Sequence, residues 1–418
     1  MTQTEAHRVA IVAGTRTPFV KAGSVFKQHT ALDLAVHSVK GLLEMHDVPP
    51  QKVDELVYGI VIFDPHLPNI AREMVFNTDL PSEVRAHTVS NNCITGIHAI
   101  TAVYDSILNG RTEIGIAGGT ESMSNPPILF GKAFSRILMD ASSAKTAGQR
   151  ISHFLKVRPW HFKPNAPAIA EPSTGLTMGE HTEIMAKEWK ISRKEQDEIA
   201  YRSHKNASAA TEDGRLKAEI YPLDGVDKDL LIRSDTTPEK LAKLRPVFDR
   251  SAAGTITAGN SSPLTDGASA VLLMSEARAK KEGREPLAYI KAFEYAAVDP
   301  GDGLLMAPCV AVPRLLARTG LSLSDMDIVD IHEAFGAQVA CNLRGWEQGW
   351  KEKAIGKVDL EKLNPLGSSL ATGHPFAATG GRMVTTLANE LKRRNAKYGL
   401  VSICAAGAMA AAMILERN

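Results

Sequence analysis

Apolar and polar positions fall along the chain in blocks that predict strands and helices in turn. Val9 to Ala13 is a continuous apolar run of strand type, followed by a turn-rich stretch and a helix that Thr30 can cap, with Leu32, Val36, Val39 and Leu43 on one face. Pro49-Pro50 closes that helix. A buried-type strand is expected over Leu56 to Ile62, a helix from near Cys93, and a strand from Ile114 to Ala117 that ends in Gly118-Gly119. The second half repeats the order, with a helix Val312 to Arg318 stopped by Gly320, a strand Ile328 to Ile331, a helix Phe376 to Leu391 and a strand Leu400 to Cys404. This alternation points to a parallel α/β arrangement.

The two halves also resemble each other locally. Val53-Asp54-Glu55-Leu56-Val57 is echoed by Met326-Asp327-Ile328-Val329-Asp330, each entering a strand, and Cys93 and His374 each stand just before a helix that leads to the next strand. A duplicated α/β unit with reactive residues at equivalent points is the expectation. Between the halves, from about 120 to 245, helix signals dominate. Ser192 and Glu195 form a capping box, with Ile199, Ser203, Ala207 and Ala210 at helical spacing behind it, so an inserted helical subdomain is expected. The strand pattern resumes at Thr255 to Thr257 and at Ala270 to Met274.

The length of 418 residues allows two or three such units with a sizeable core. With 48 Lys and Arg against 47 Asp and Glu, nothing global draws the chain to nucleic acid. The apolar runs are too short for a membrane span, and Met1 to Glu5 does not read as the start of a leader, so a soluble cytoplasmic protein is expected. Cys93, Cys309, Cys341 and Cys404 are too few and too scattered for a disulfide framework, so any role for them is as thiols. One segment departs from the overall balance. From Gly131 to Ala170 there are seven basic residues and one acidic, interleaved with Phe134, Ile137, Leu138, Ile151, Phe154, Leu155, Trp160 and Phe162. That composition suits an anionic membrane surface, a partner subunit, the phosphates of a large anionic substrate, or simply a solvated basic face.

Four places can carry chemistry. Cys93 stands at the entrance of a small-residue helix, whose positive end can depress a thiol pKa, although a lone cysteine is as readily a small buried hydrophobe. His374 lies in the glycine-rich stretch Gly373-His374-Pro375, where histidine is the natural base for a cysteine. His332-Glu333-Ala334-Phe335 ends a predicted strand, as does Cys404 in Cys404-Ala405-Ala406-Gly407. No spacing among them suits a metal.

Taken in order, Asn92-Cys93, Gly118-Gly119-Thr120-Glu121-Ser122-Met123-Ser124, Met178-Gly179, Thr257-Ala258-Gly259-Asn260-Ser261-Ser262, His332-Glu333-Ala334-Phe335, Gly373-His374-Pro375 and Cys404-Ala405-Ala406-Gly407 resemble the thiolase family over essentially the whole chain. The likeness is closest to the 3-ketoacyl-CoA thiolases that serve as β-subunits of fatty-acid oxidation complexes, because His332 stands where most thiolases have Asn. It implies a duplicated five-layer αβαβα core: residues 1–119 and 246–285 form the first half and 286–418 the second, with 120–245 an inserted loop domain over substrate and CoA.

The implied activity is cleavage of a 3-ketoacyl-CoA by CoA, with Cys93 as nucleophile, His374 as its base and Cys404 as the second acid/base. His332 and His374 would serve one oxyanion hole, and the backbone N–H groups of Cys93 and Ala406 the other. Ala408 and Ala410 depart from the family's usual glycines. Arg233, Ser262, Met178, Phe248 and Phe335 would meet CoA and substrate. No tightly bound cofactor is implied, CoA being a substrate. The implied partners are a second or further copies in a homodimer or tetramer and a hydratase-dehydrogenase α-subunit, with peripheral membrane contact through 131–170 as the other use of the basic segment. Rival readings are a biosynthetic acetoacetyl-CoA thiolase, a decarboxylating ketoacyl synthase using Cys, His and His, and an inactive CoA-binding subunit.

Overall fold

The computed structural model of the chain describes residues 8–165 and 170–418, so the opening Met1 to Glu5 and the last part of the basic segment, 166–169, lie outside the described residues. Strand β1 (Val9–Arg16) is buried along its whole length, as its apolar run requires, between β8 (Thr265–Ser275) and β9 (Ala288–Ala297). From β8 the ladder continues through β5 (Ile114–Glu121) and β3 (Glu55–Gly59) to β4 (Arg85–Val89). From β9 it continues through β12 (Met409–Glu416) and β11 (Tyr398–Ala405) to β10 (Ile328–Ile331). The orders β1-β8-β5-β3 and β9-β12-β11-β10 match step for step: antiparallel, antiparallel, parallel. Where the first half has β4, the second keeps one parallel bridge between Val329 and Leu363. The short β2 (Val20–Lys21) pairs with β8.

The helices repeat as well. Helix α1 (Ala31–Met45) follows β1 as α10 (Pro308–Thr319) follows β9, and α3 (Thr95–Leu108) precedes β5 as α13 (Ala378–Arg394) precedes β11. Three apolar clusters then define the layers. Helix α1 and α2 (Ile70–Phe76) pack Leu42 and Met74 onto Ile116 and Leu272. Helices α3 and α13 lie between the two sets of strands, with Ile100 and Leu387 among Val271 and Met413. Helices α10 and α11 (Gly336–Gln348) cover the other face of the second half, with Val310 and Val339 near Ile414. The expected succession of helix, sheet, helix, sheet and helix is present.

Several local expectations change. The sheet is mixed rather than parallel, because β11 turns into β12 through Ala406 to Ala408 without a crossover helix and such a short connection forces antiparallel pairing. Thr255 to Thr257 is not a strand; Thr257 makes one bridge to Pro246, and β8 starts at Thr265. The buried face of α1 centres on Leu34, Ala35, Val39 and Leu42, leaving Leu32 and Val36 partly buried, while Thr30 and Asp33 cap it reciprocally.

Within 120–245 the chain divides. Residues Pro126–Ile169 and Ile62–Pro68 form a compact unit of their own, holding β6 (Leu129–Phe130), α4 (Lys132–Ser143), α5 (Ala147–Phe154) and β7 (Pro164–Asn165). Phe134 and Ala141 are its buried residues among those described, and Phe134 makes ring contacts to Phe130, His161 and Phe162. From Ala170 onward the chain belongs to the larger unit and supplies α6 (Met178–Glu188), α7 (Arg193–Glu212), with the Ser192–Glu195 capping box, and α8 (Pro238–Ala242). The remaining helices are α9 (Glu276–Lys281) and α12 (Ser369–Thr372). Among the described residues no helix is long and apolar enough to cross a membrane.

Candidate active site

The two equivalent loops meet because α3 and α13 touch backbone to backbone near their N-terminal ends. A Cβ on Gly96 would lie 2.7 Å from the Ala377 carbonyl oxygen and 2.9 Å from the Gly381 nitrogen, so only glycine allows this approach. The Ala377 N–H donates to Glu121 Oε2 at 3.3 Å, and the same carboxylate accepts from Val61 N–H. The Cys93 turn and the His374 turn are thereby held against one another.

Cys93 lies two residues before the first turn of α3 and keeps part of its surface exposed, but its sulfur is desolvated. Burial pushes the thiol up to about 12, against the opposing pull of N–H groups from Ala406 and from Cys93 itself, and the nearby Glu121 charge raises it further. Desolvation thus outweighs the lowering that a helix end can exert on this thiol. Cys404, at the end of β11, is 2% exposed, and burial together with the neighbouring Cys93 raises its thiol well above the ordinary range. Asn92 Nδ2 donates to the Ala406 carbonyl at 3.0 Å, fastening the Cys93 turn to the Cys404 loop. In that loop Gly407 (φ +77°) and Ala408 (φ +54°) occupy the left-handed region and Ala406 does not. The family departure at Ala408 thus costs on the order of 1 kcal/mol of backbone strain, while the N–H of Ala406 stays free of that constraint.

His332 and His374 stand side by side, ring centroids 4.1 Å apart and both buried. His374 Nδ1 is 2.6 Å from Thr379 Oγ1, whose hydroxyl donates to the Pro375 carbonyl at 3.2 Å, so Nδ1 carries the proton and Nε2 the lone pair. Burial first, and the Arg382 cation second, lower His374 to about 3. His332 is lowered well below the ordinary range by burial, His374 and Arg382 in that order. Neither Nε2 has a hydrogen-bond partner among the described residues. Burial thus raises both thiols and lowers both imidazoles, which favours the uncharged form of each.

Glu333 faces away from this chemistry. Its carboxylate accepts from Ser203 Oγ at 2.5 Å, Asn364 Nδ2 at 2.6 Å and the Leu370 N–H at 3.3 Å, tying α7, the Asn364 turn and α12 to the His332 loop. A cavity of about 480 Å³ between α7 and α11 has Ser203, Glu333 and Asn364 in its lining and none of the four reactive side chains.

The residues expected at CoA fall into two groups. Phe248 packs against Gly179 beside Met178 at the start of α6, and its ring meets Phe335 edge-on at 6.1 Å. Ser262 joins them by donating its N–H to the Ala334 carbonyl at 2.9 Å. Arg233 is exposed, on a segment anchored by the buried Arg16–Asp229 pair, where guanidinium nitrogens meet both carboxylate oxygens at 2.6 and 2.8 Å. Its N–H donates to His204 Nδ1 at 3.2 Å, which links it to α7.

Sequence reasoning did not single out Thr379, Ser369 or Arg382. An arginine amid the small and apolar residues of Thr379-Gly380-Gly381-Arg382-Met383-Val384 was the available signal, since a cation there must be buried with partners.

The family model described as "Thiolase, N-terminal domain" matches residues 9–277, and "Thiolase, C-terminal domain" matches 284–417. The chain is 44% identical to a 3-ketoacyl-CoA thiolase of Colwellia psychrerythraea, over 100% of this chain and 99% of the relative. Among solved structures, the Bacillus anthracis acetyl-CoA acetyltransferase is similar with a TM-score of 0.86 and 32% identity, covering 98% of this chain and 99% of that one. Human mitochondrial 3-ketoacyl-CoA thiolase in complex with CoA is similar with a TM-score of 0.84 and 30% identity, covering 99% of this chain and 98% of that one.

Proposed function

The chain belongs to the thiolase family, and from that premise we propose that Cys93, His374, Cys404 and His332 carry the CoA-dependent cleavage of a 3-ketoacyl-CoA to acetyl-CoA and an acyl-CoA two carbons shorter. The observation that supports this assignment is the meeting of three turns: Asn92 joins the Cys93 turn to the Cys404 loop, and Gly96 packs on Ala377 three residues beyond His374, whose Nδ1 is held by Thr379. His374 Nε2 takes the Cys93 proton as the sulfur attacks the keto carbon. The bond between the second and third carbons then breaks, and Cys404 protonates the acetyl-CoA carbanion. Incoming CoA gives its thiol proton to the Cys404 thiolate and attacks the acyl group on Cys93. The sulfur of Cys93 leaves and recovers its proton from His374, so both cysteines and the histidine return to their starting forms.

The N–H groups of Cys93 and Ala406, which converge on the sulfur, suit the oxygen of the tetrahedral intermediate. His332 and protonated His374 suit the enolate oxygen. CoA would lie along Met178, Phe248, Phe335 and Ser262 with Arg233 at its phosphates, a permanent cation suited to that contact. The part of 120–245 from Ala170 onward is thus the cover for CoA. Thiolysis measured on 3-ketoacyl-CoAs from four to sixteen carbons tests the assignment and separates a degradative from an acetoacetyl-CoA role. Activity on the longer chains is expected, and no thiolysis at any length would refute it. The adjacent histidines favour one second reading, a decarboxylating synthase, for which turnover of a malonyl thioester would be the evidence.

The working form is a homodimer or tetramer in the cytoplasm, where the four free cysteines stay reduced. The basic unit exposes Trp160 (70%), Leu155 (72%) and Ile151 (60%) alongside Lys156 and Arg158, a combination suited to a hydratase-dehydrogenase subunit or an anionic bilayer. Retention by that subunit or co-sedimentation with anionic liposomes, weakening as salt rises, is the expected result. Absence of both would leave a solvated basic face.

A further inference from the structure

His332 is fully buried, and its Nδ1 lies 2.8 Å from the hydroxyl of Ser369 at the start of α12. The same hydroxyl lies 3.0 Å from Arg382 Nη2, which also donates to Ser368 Oγ at 3.2 Å. A guanidinium can only donate, so Ser369 Oγ must accept from Arg382. The serine proton then needs an acceptor, and His332 Nδ1 is the acceptor available to it among the described residues. With Nδ1 holding its lone pair toward Ser369, the ring proton of a neutral His332 sits on Nε2. Next to it, Thr379 imposes the opposite arrangement on His374.

Resting on the thiolase reading above, we propose that Ser369, held by Arg382, is a positioning residue that fixes His332 in the Nε2–H form. The two adjacent rings, 4.1 Å apart, then present unlike Nε2 atoms: a lone pair on His374 that takes the thiol proton and an N–H on His332 that meets the developing enolate oxygen. Were His332 in the other form, its Nε2 lone pair would face that oxygen and repel it. Arg382 suits this post because a guanidinium has donors and no acceptor, which sets the direction of the relay. Burial lowers Arg382 from its ordinary range, with Asp330 the largest opposing charge and Arg16 adding to the lowering.

The test compares Ser369→Ala with Ser369→Thr, which keeps the hydroxyl, using protein labelled with nitrogen-15 in histidine. The His332 resonances are assigned by their loss in His332→Asn. Wild type and Ser369→Thr are expected to show Nε2 protonated and Nδ1 bare, and Ser369→Ala a mixture of both forms. In Ser369→Ala, exchange of acetyl-CoA methyl protons with deuterated water should fall roughly 10–100-fold, the usual cost of losing a group that orients an active residue, with little change in KM or in acyl labelling of Cys93. An unchanged His332 pattern in Ser369→Ala, or an Nδ1–H form in the wild type, overturns the proposal. So does an equal loss of exchange in the threonine variant with folding intact. The nitrogen spectra report on His332 whether or not the protein performs thiolysis, so failure of the reaction assignment and failure of this relay are read separately.

Discussion

Cys93→Ser should reduce thiolysis to below a few per cent of wild type while leaving the fold intact. Burial pushes the thiol up to about 12 and lowers its base His374 to about 3, which disfavours a preformed ion pair. Proton transfer must therefore run together with attack on the keto carbon, as the new charge passes from sulfur to an oxygen held by N–H groups. Sulfur allows this because it is a strong nucleophile and later a good leaving group. An alcohol in the same desolvated position ionises with much greater difficulty and holds the acyl group as a less reactive ester. The substitution leaves the contacts of Gly96 and Asn92 untouched, so circular dichroism and thermal unfolding should be close to wild type. Retention of more than a few per cent of thiolysis would place the nucleophile elsewhere.

Cys404→Ala should separate the two halves of the reaction. Acyl transfer from an acyl-CoA to Cys93 breaks no carbon–carbon bond, so it needs Cys93 and His374 and asks little of Cys404. Cleavage of a 3-ketoacyl-CoA expels a carbanion and requires an acid at that point. Burial holds Cys404 in its protonated form, which is the form the step consumes. Thiolysis should therefore fall by roughly 10²–10⁴-fold, about 3–5 kcal/mol of barrier, with much of the acyl labelling of Cys93 retained. Exchange of the acetyl-CoA methyl protons should fall in parallel. If Cys404 served only to pack β11 against its neighbours, labelling and cleavage would decline together or not at all. Wild-type cleavage and exchange rates in the variant would eliminate the acid/base role.

Where apolar runs and capping residues act locally, sequence and structure agree closely. Ile328 to Ile331 is a strand at the expected residues, and the Ser192–Glu195 box starts its helix where the spacing places it. The duplication was legible because both halves carry the same succession of strands and helices, and the ladder repeats it for four strands on each side. Strand β12 was illegible: Met409-Ala410-Ala411-Ala412 has neither β-branched residues nor alternation, and it forms because β11 and β9 flank it with complete ladders. The direction of the Cys93 shift was illegible for a similar reason, since a helix-end field follows from local sequence and desolvation from the packing of the whole fold. Ser369 and Arg382 matter through contacts that run between α12, α13 and the His332 loop, which spacing along one segment does not disclose.

The placement of β1 bears on how the protein is made. The first strand of the described residues in chain order is an interior strand whose two neighbours, β8 and β9, begin only at Thr265 and Ala288. Val9 pairs with Ser275 and Arg16 with Ser269, so until those residues are made a strand that is wholly buried in the fold has no native partner on either side. The nascent chain therefore carries an exposed template for wrong pairing until β8 has emerged. Closure of the catalytic core comes late in translation, and truncated chains ending before β8 would be prone to aggregate or to be captured by chaperones.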